Sequence, residues 1–208
     1  SPFFRKIPRQ SWTGKTPGLF KTFCTETNDT RRGSMMQTER LRGVVVPKTL
    51  RIVPAGSKGF SLVANRKFRL GEKVCFLAGE LVDAAHSTPE AVQISDTQFI
   101  DTNYLVAEDF INHSCSPNTR LDIECRQFTA LRDISRGEEI TYHYLTTEWD
   151  MEAWGADFRC ACGSLHCLGH IRGFKYLPLA EKLRIKPLLS PLLRGKLEEI
   201  ERLPQEKI

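Results

Sequence analysis

The sequence has no long hydrophobic run, and this absence excludes a membrane-spanning segment. Its longest uninterrupted apolar run extends only from Val74 to Ala78, far short of the roughly 18–20 residues that a bilayer span requires. Hydrophobic residues make up 40% and charged residues 26% of the 208 residues, which is the balance of a globular chain and not of a disordered one. We therefore expect a soluble protein of one folded domain with small appendages, without membrane contact.

Acidic residues are missing from the first 25 positions, which contain five basic residues. Residues 1–50 carry a net charge of +7, whereas the remaining residues carry −2. A domain that binds nucleic acid keeps its positive charge in its folded part, so we expect no direct nucleic-acid binding by the core. Residues 1–40 are predicted to be a basic, disordered tail; a targeting segment or a contact with an acidic partner stays open, as does the compartment (nucleus, cytoplasm or an organelle).

The seven cysteines are an odd number, and no secretory apolar segment precedes them, so a disulfide framework is not expected. Cys160, Cys162 and Cys167 lie within eight residues of one another. In a reducing compartment such clustering indicates metal or redox chemistry. A closed structural zinc site needs four ligands, and His166, inside the cluster, is one candidate for the fourth.

Short β-branched and aromatic runs separated by proline and glycine predict small, largely antiparallel sheets. The predicted strands are residues 44–46, 50–53, 60–63, 73–77, 98–100, 128–131 and 139–142. Residues 88–94, which open with Thr-Pro-Glu, predict a short helix. Pro187 and Pro191 divide the C-terminal part into two predicted helices, residues 179–184 and 192–202. In the second helix Leu193, Leu197 and Ile200 form an apolar stripe that is expected to pack on the domain.

Two polar segments carry the most information about function. Residues 109–118 read Asp-Phe-Ile-Asn-His-Ser-Cys-Ser-Pro-Asn, and residues 137–144 read Gly-Glu-Glu-Ile-Thr-Tyr-His-Tyr. Taken alone, the first segment could be a turn whose polar groups form hydrogen bonds within the segment, with a buried His and Cys. Followed by the second segment and by Cys-x-Cys-x4-Cys-x-Gly at residues 160–169, it resembles the SET-domain lysine methyltransferases with a post-SET zinc motif. The resemblance includes Ser-Lys-Gly-Phe-Ser-Leu-Val-Ala at residues 57–64 and covers about residues 41–176.

This resemblance implies a mainly β SET-domain fold of small curved sheets with a knot-like C-terminal segment. In that arrangement the Asn112 segment lies against the Tyr144 segment, an exception to the usual rule that chains do not thread. It also divides the chain into the tail (1–40), a SET domain (41–150), a post-SET zinc-binding segment (151–176) and a C-terminal helical extension (177–208).

The resemblance further implies S-adenosylmethionine as methyl donor, one structural zinc and a protein or peptide substrate that presents a lysine. A histone is one possible substrate, and the protein is expected to be a monomer. The residues implied for cofactor binding are Lys58, Gly59, Phe60, Asn112, His113 and Tyr144. The residues implied as zinc ligands are Cys115, Cys160, Cys162 and Cys167.

Two tyrosines are implied at the transfer point. A free lysine, with a pKa of about 10.4, is almost wholly protonated at neutral pH, and a narrow apolar channel favours the neutral amine by desolvation. Tyr144 would orient the methyl group and the amine, and Tyr142 would fill the space near the lysine nitrogen. A filled space hinders a methylated amine from turning, so we expect mainly monomethylation with some dimethylation.

Three departures from the family pattern limit the resemblance. Ser61 replaces the second glycine of Gly-x-Gly, Asp109 replaces an arginine, and no cysteine cluster precedes the domain. One alternative is therefore a catalytically silent SET-like module that holds a peptide. A second is a zinc-stapled interaction domain without a cofactor.

Overall fold

The structure, a computed structural model, describes residues 41, 43–102 and 104–202. The predicted tail, Cys24 and residues 203–208 lie outside the described residues. The described part is mainly β with few helices, as predicted. Its strands are β1 (Leu50–Pro54), β2 (Phe60–Ala64), β3 (Lys73–Phe76), β4 (Glu80–Asp83), β5 (Val92–Gln93), β6 (Gln98–Asp101), β7 (Asn112–His113), β8 (Thr119–Asp122), β9 (Gln127–Ala130), β10 (Thr141–Tyr142), β11 (Phe158–Arg159) and β12 (His170–Ile171). Its α-helices are α1 (Leu179–Arg184) and α2 (Pro191–Arg202).

The strands form small sheets of two or three strands each. Antiparallel pairing joins β1 to β2, β11 to β12, and the strands within the orders β3-β9-β8 and β4-β6-β5. In contrast, β7 and β10 pair in parallel, with Asn112 opposite Thr141 and His113 opposite Tyr142. The prediction of small, largely antiparallel sheets is confirmed, and the parallel pair is the place where the two motif segments meet.

Two sequence-based predictions of local structure are wrong. Residues 88–94 do not form a helix, because the Thr88 N–H and hydroxyl bind the Asp101 carboxylate at 2.5 and 2.9 Å and the chain turns back to pair β5 with β6. Residues 44–46 are not a strand. Val45 is 86% exposed, and the Val44 N–H closes a turn onto the Leu41 carbonyl.

The described residues bury two hydrophobic clusters. The first lies among the sheets of the predicted SET domain and includes the fully buried Leu62, Phe68, Phe128, Ile134 and Ile140. The second lies under the C-terminal segment and includes the fully buried Leu145, Ile171, Phe174, Ile185, Leu193 and Leu197. Tyr144 packs against both clusters, so it lies where the two halves of the described chain meet.

Helix α2 closes the second cluster. It begins behind Ser190, whose hydroxyl accepts the Leu193 N–H at 3.4 Å, and Pro191 occupies the first helical position, where a missing N–H costs nothing. Leu193 and Leu197 are completely buried, so the predicted apolar stripe packs on the domain. Among the helices of the described residues, none is long and apolar enough to span a bilayer.

Gly173 brings the C-terminal segment against the chain that follows Tyr144. Its φ is +133°, and a Cβ at this position would lie 2.5 Å from the Trp149 carbonyl oxygen. This close approach allows the Phe174 N–H to bind the Glu148 carbonyl at 2.9 Å and the Lys175 N–H to bind that of Trp149 at 3.0 Å. The C-terminal segment thereby holds the backbone of Glu148 and Trp149 in place.

Candidate functional site

The parallel pair β7–β10 is the foundation of the site. Its pairing is continued by the Ser114 N–H, which donates to the Tyr142 carbonyl at 3.0 Å. Asn118, buried behind the pair, accepts the Thr141 N–H at 2.9 Å and donates to the Glu139 carbonyl at 2.7 Å. These bonds hold residues 112–118 and 139–142 in one register.

Tyr144 lies two residues after the end of β10, and its hydroxyl is directed to the residue before β7. The hydroxyl donates to the Ile111 carbonyl at 2.9 Å, and its ring centroid lies 4.8 Å from that of Tyr142. Desolvation, together with the neighbouring carboxylates of Glu139 and Glu148, raises the pKa of the Tyr144 hydroxyl above its usual range. Tyr144 is therefore neutral at physiological pH and can orient a reactant without acting as a strong base.

His113 links Tyr144 to the cysteine cluster. Its Nδ1 accepts the Tyr144 backbone N–H at 3.1 Å, and its Nε2 lies 3.3 Å from Cys115 Sγ. Because Nδ1 is an acceptor, the proton of the neutral ring must be on Nε2, which therefore donates to the sulfur. Desolvation, with a contribution from His143, lowers the pKa of His113 to about 2, so this tautomer persists across the physiological range.

Asn112 lies in a polar cluster with the residues that begin β2. Its side-chain amide donates to the Phe60 carbonyl at 3.0 Å, to Ser61 Oγ at 2.8 Å and to Glu139 Oε1 at 2.9 Å. Lys58 binds the same Glu139 carboxylate at 2.6 and 2.7 Å. The structure thus brings together Lys58, Phe60 and Asn112, with Gly59 between the first two in a positive-φ conformation (+77°).

Glu139 is a member of this cluster that the sequence analysis did not single out. Burial raises the pKa of its carboxyl, but the bonds from Lys58, Ser61 and Asn112 outweigh burial and lower the pKa. The group is therefore a carboxylate at neutral pH. Ser61, the departure from Gly-x-Gly, is 3% exposed and donates to Glu139 Oε1 at 2.7 Å, so its hydroxyl has a hydrogen-bond partner within this cluster.

The four cysteines predicted as metal ligands converge. Their sulfur atoms all lie within 4.8 Å of one another, with Cys115 and Cys160 4.0 Å apart. Four thiolates around a tetrahedral zinc at 2.3 Å lie ~3.8 Å apart, so the arrangement fits a metal after small adjustments. His166, the competing candidate, is not part of this group, and its backbone N–H binds the Ser164 hydroxyl at 3.1 Å.

One thiol of the cysteine cluster ionises more readily than its neighbours. Desolvation raises the pKa of the Cys115 thiol to about 11. For Cys162, hydrogen bonds from backbone N–H groups and neighbouring thiols outweigh desolvation and lower the pKa to about 6. One thiolate is thus already favoured, and a divalent cation would supply the charge that the other thiols need in order to ionise.

His143 lies beside this cluster, close to His113 and Cys115. It is 1% exposed, its ring centroid is 4.8 Å from that of His113, and neither ring nitrogen has a hydrogen-bond partner within the described part of the chain. Desolvation, with a smaller effect of Arg184, lowers the pKa of His143 to about 4. The ring is therefore neutral.

Two carboxyl groups near the tyrosines were also missed by the sequence analysis. Glu148 Oε1 accepts the Gln93 N–H at 3.2 Å and the Thr147 hydroxyl at 3.0 Å, and desolvation raises its pKa to about 7. Asp109 accepts the Val106 N–H at 2.9 Å, and desolvation again raises its pKa to about 7. Neither residue stood out in the sequence as a site residue, because only the fold brings them to Tyr142.

Comparison with known proteins supports the family suggested by the motifs. The chain is 38% identical over 91 residues to the methyltransferase flvH of Aspergillus flavus, an alignment that covers 42% of this chain and 49% of flvH. It is 28% identical over 154 residues to the H3 lysine-36 specific histone-lysine N-methyltransferase of Yarrowia lipolytica (64% of this chain, 19% of that protein) and 27% identical over 140 residues to the histone-lysine N-methyltransferase ASHH3 of Arabidopsis thaliana (58% and 37%). The chain thus spans about half of flvH and smaller fractions of the two histone-lysine enzymes.

A partial likeness to a solved structure accompanies these matches. The crystal structure of KRYPTONITE in complex with mCHH DNA, an H3(1–15) peptide and SAH has 25% sequence identity and a TM-score of 0.47, over 58% of this chain and 29% of that chain. The family model of the SET domain matches residues 59–145, which include β2, the β7–β10 pair and Tyr144. Residues 59–145 of this chain are thus similar to SET domains.

Proposed function

We propose that the protein is an S-adenosylmethionine-dependent protein-lysine methyltransferase. The observation that carries this proposal is the position of Tyr144, whose neutral hydroxyl binds the Ile111 carbonyl at 2.9 Å immediately beside Asn112 and His113. The proposed transfer point and the proposed cofactor pocket thus share one strand pair. The similarity to proteins named methyltransferase and histone-lysine N-methyltransferase supports the same activity.

The chain supplies positioning and desolvation for this reaction. Methyl transfer needs a neutral amine aligned with the methyl group, and alignment contributes a large entropic advantage. The rings of Tyr142 and Tyr144 pack together with Phe128 and Phe158, and desolvation of a lysine that is buried among them would disfavour its ammonium form. The Tyr144 hydroxyl is held by Ile111, so it is directed before a substrate arrives.

We infer that the cofactor binds around Asn112. The space where a Gly59 Cβ would lie is open, with nothing within 4 Å, and Asn112 offers a partly buried amide beside the Glu139 carboxylate. Asn112 and His113 would hold the amino and adenine parts, with Lys58, Gly59 and Phe60 along the other edge. S-adenosylmethionine, when bound, supplies an electrophilic methyl group on a sulfonium.

We also propose that Cys115, Cys160, Cys162 and Cys167 hold one structural zinc. The support is the convergence of their sulfurs and the direct tie between the two chain segments, since the Leu168 N–H donates to Cys115 Sγ at 3.4 Å. Residues 151–176 would then be a zinc-binding segment and residues 177–208 a helical extension of the domain.

The substrate proposed is a lysine-bearing peptide, with histone tails as the first candidates because two relatives are named for histone-lysine methylation. We propose mono- and dimethylation as products, a monomeric enzyme and no direct contact of the core with nucleic acid. For the basic residues 1–40, the proposed roles are targeting of the protein or contact with an acidic partner.

An array of histone H3 and H4 tail peptides, incubated with the protein and methyl-labelled S-adenosylmethionine, tests this function. We expect label in particular lysine peptides and none in matched peptides with arginine at the same position. If the cofactor binds and no peptide is labelled, the catalytically silent module is the better description. A specific observation favours that alternative: Lys58 and Ser61 both donate to the Glu139 carboxylate at the proposed cofactor site, so these polar groups are already paired with one another.

Cofactor binding itself separates both candidates from a plain zinc-stapled domain. A ligand present at 100 times its Kd adds about 2.7 kcal/mol to the stability of the folded state. We expect S-adenosylmethionine to raise the Tm of the protein, whereas a zinc-stapled domain without a cofactor site would show no shift.

A further inference from the structure

His113, Cys115 and His143 form a second group of potential metal ligands beside the four cysteines. All three residues are buried, and their ligand atoms lie within 4.8 Å of one another. Imidazole and thiolate ligands suit zinc and copper ions, so the group has the composition of a metal site. Whether it can hold an ion depends on the two nitrogens of the His113 ring.

The backbone of Tyr144 excludes the His113 ring as a metal ligand. A backbone N–H can only donate, and the Tyr144 nitrogen lies 3.1 Å from His113 Nδ1. The lone pair of the neutral ring is therefore on Nδ1 and its proton on Nε2. With a metal ion on Nε2, the ring proton would have to be on Nδ1, where it would face the Tyr144 N–H. The second group therefore cannot hold an ion through His113.

The same bonds occupy both polar atoms of the His113 ring. Nδ1 accepts the Tyr144 N–H, and Nε2 donates to Cys115 Sγ at 3.3 Å. The rings of His143, Tyr144 and Phe158 pack around that of His113, with centroid distances of 4.8, 5.3 and 5.8 Å. The ring is therefore held between two partners, and it has no polar atom left to contact the proposed cofactor.

The Cys115 sulfur accepts N–H groups from two directions. Besides the His113 ring, the Leu168 N–H donates to it at 3.4 Å, and Cys115 is completely buried. A thiolate that ligates zinc is negatively charged, and a hydrogen bond to a charged acceptor is about twice as strong as one to a neutral acceptor. The bond from His113 is therefore stronger when Cys115 ligates zinc, and the ring is then held in one orientation.

We propose that the His113 ring is a positioning residue that connects the backbone of Tyr144 to the Cys115 thiolate of the zinc site. The inference rests on the zinc site proposed above and gives the metal a second role, at the proposed transfer point. Loss of the bond to Cys115 frees the ring to turn, and the Tyr144 N–H then loses its acceptor. Hydrogen-bond partners of metal ligands typically change metal affinity about 10–100-fold, so the connection should be measurable from both ends.

The position of the ring proton is the first test, and it needs no activity. In zinc-loaded protein with ¹⁵N-labelled histidine, the ring signals of His113 are assigned by their loss in His113→Gln. We expect a protonated Nε2 and an unprotonated Nδ1. A proton on Nδ1 would overturn the proposal, because the ring could then not accept the Tyr144 N–H.

Two variants each keep one end of the connection. In His113→Gln the side-chain amide N–H can replace Nε2 as the donor to Cys115, whereas in His113→Asn the amide oxygen can replace Nδ1 as the acceptor for Tyr144. In competition with a chelator, we expect the zinc affinity of His113→Gln to stay within about threefold of native and that of His113→Asn to fall about tenfold. The backbone amide signal of Tyr144 should respond in the opposite order, with the larger shift in His113→Gln.

A merely structural role of the buried ring would not produce this crossed pattern. If the ring only fills space, both variants should lower the zinc affinity and shift the Tyr144 amide signal to the same extent, and that result would overturn the proposal. His166→Gln is the matched control, since His166 also lies among the cysteines in sequence but belongs to neither group of potential ligands. It should leave the zinc affinity and the Tyr144 signal unchanged.

Cobalt(II) in place of zinc gives an optical readout of the sulfur. The sulfur-to-cobalt charge-transfer band should move to longer wavelength in His113→Asn, because a sulfur without the His113 N–H holds its electrons less tightly. The band should keep its position in His113→Gln. A band that is identical in the native protein and in His113→Asn would contradict the proposal.

These measurements separate the proposal from the zinc site on which it rests. Native protein that holds neither zinc nor cobalt would reject the zinc site and the connection together. Native protein that holds zinc, with an unchanged affinity in His113→Asn, would reject the connection and leave the zinc site standing. Because none of the readouts uses methyl transfer, each result holds whether or not a peptide is labelled.

Discussion

Tyr144 has a hydroxyl whose surroundings are already arranged before substrate binds. Replacing Tyr144 by Phe removes one hydrogen bond to the Ile111 carbonyl, worth about 1 kcal/mol, and leaves the ring between the two hydrophobic clusters. We expect Tyr144→Phe to lower kcat at least ~100-fold, in the range of lost transition-state groups, with cofactor Kd changed less than about threefold. Calorimetric titration and peptide kinetics measure both; a fully active Tyr144→Phe would show that the catalytic residue is misplaced.

The proposed role of Tyr142 is to limit the number of methyl groups that are added to the lysine. Its ring packs between Phe128 and Tyr144 with centroids at 5.3 and 4.8 Å, so Phe fits the same space and only the hydroxyl is lost. We expect Tyr142→Phe to shift products from mono- and dimethyl-lysine toward trimethyl-lysine, because the freed space admits a turned methylamine. Intact-mass analysis of the peptide product decides it, and abundant trimethyl-lysine from the native chain would contradict the role of the hydroxyl.

Local motif chemistry explains which site residues could be predicted from sequence. Two short motifs contain Asn112, His113, Cys115 and Tyr144. These residues could therefore be recognised from their types and spacing, without knowledge of the fold. Glu148 could not be predicted, since its position depends on a contact with β5 and on the close approach at Gly173, both of which join residues far apart in sequence. Glu139 is intermediate: it lies inside a quoted motif, but its bond to Lys58 is visible only in three dimensions.

Among the elements, the cysteine cluster connects the C-terminal segment to β7. We expect one tightly held zinc per chain, and Cys115→Ser to lose it, because Cys115 is the proposed ligand that comes from the segment after β7 and not from residues 160–167. Loss of the metal should also lower the Tm and the methyl transfer rate, since His113 bridges Cys115 to Tyr144. Metal analysis by mass spectrometry is the measurement.

Cys125→Ser is the matched control for the metal prediction. Cys125 is an exposed free thiol outside the cluster, so its replacement should leave metal content and Tm unchanged. Undiminished zinc in Cys115→Ser would mean that the fourth ligand is another group.

Helix α2 is predicted to be essential for stability through its buried leucines. Leu197 is 0% exposed in the cluster that also contacts Tyr144, and truncation of such a side chain typically costs about 2–5 kcal/mol. We expect Leu197→Ala to lower the free energy of unfolding in urea by that amount. Leu183→Ala, at a position 42% exposed, should cost less than about 1 kcal/mol; equal losses would mean that α2 is not part of the cooperative core.

Two segments show where local sequence patterns fail to predict the secondary structure. Helices α1 and α2 and most strands follow from proline positions and β-branched runs that are local in the sequence. The β5 strand does not, because the Thr-Pro-Glu start signal is overridden by the Asp101 carboxylate, which captures Thr88 from 13 residues away. Residues 44–46 have strand propensity, yet the chain turns at this point and leaves Val45 in solvent.

At the scale of the whole molecule, two hydrophobic clusters meet at Tyr144 and one polar connection, Cys115–His113–Tyr144, crosses between them. The excess of positive charge resides in residues 1–50 and not in the part that carries the site. In the described part of the molecule, the neutral, desolvated Tyr144 thus lies where the two clusters meet. Desolvation is what the proposed methyl transfer to an amine requires.

The most direct test of this account is a single-turnover reaction of the native chain with S-adenosylmethionine and the best-labelled histone-tail peptide, followed by intact mass and by the demethylated cofactor. The account predicts that one lysine gains one methyl group for each cofactor consumed, and that a peptide with arginine in place of that lysine gains none. A protein that binds both cofactor and peptide, yet yields neither methyl-lysine nor demethylated cofactor, would contradict the account.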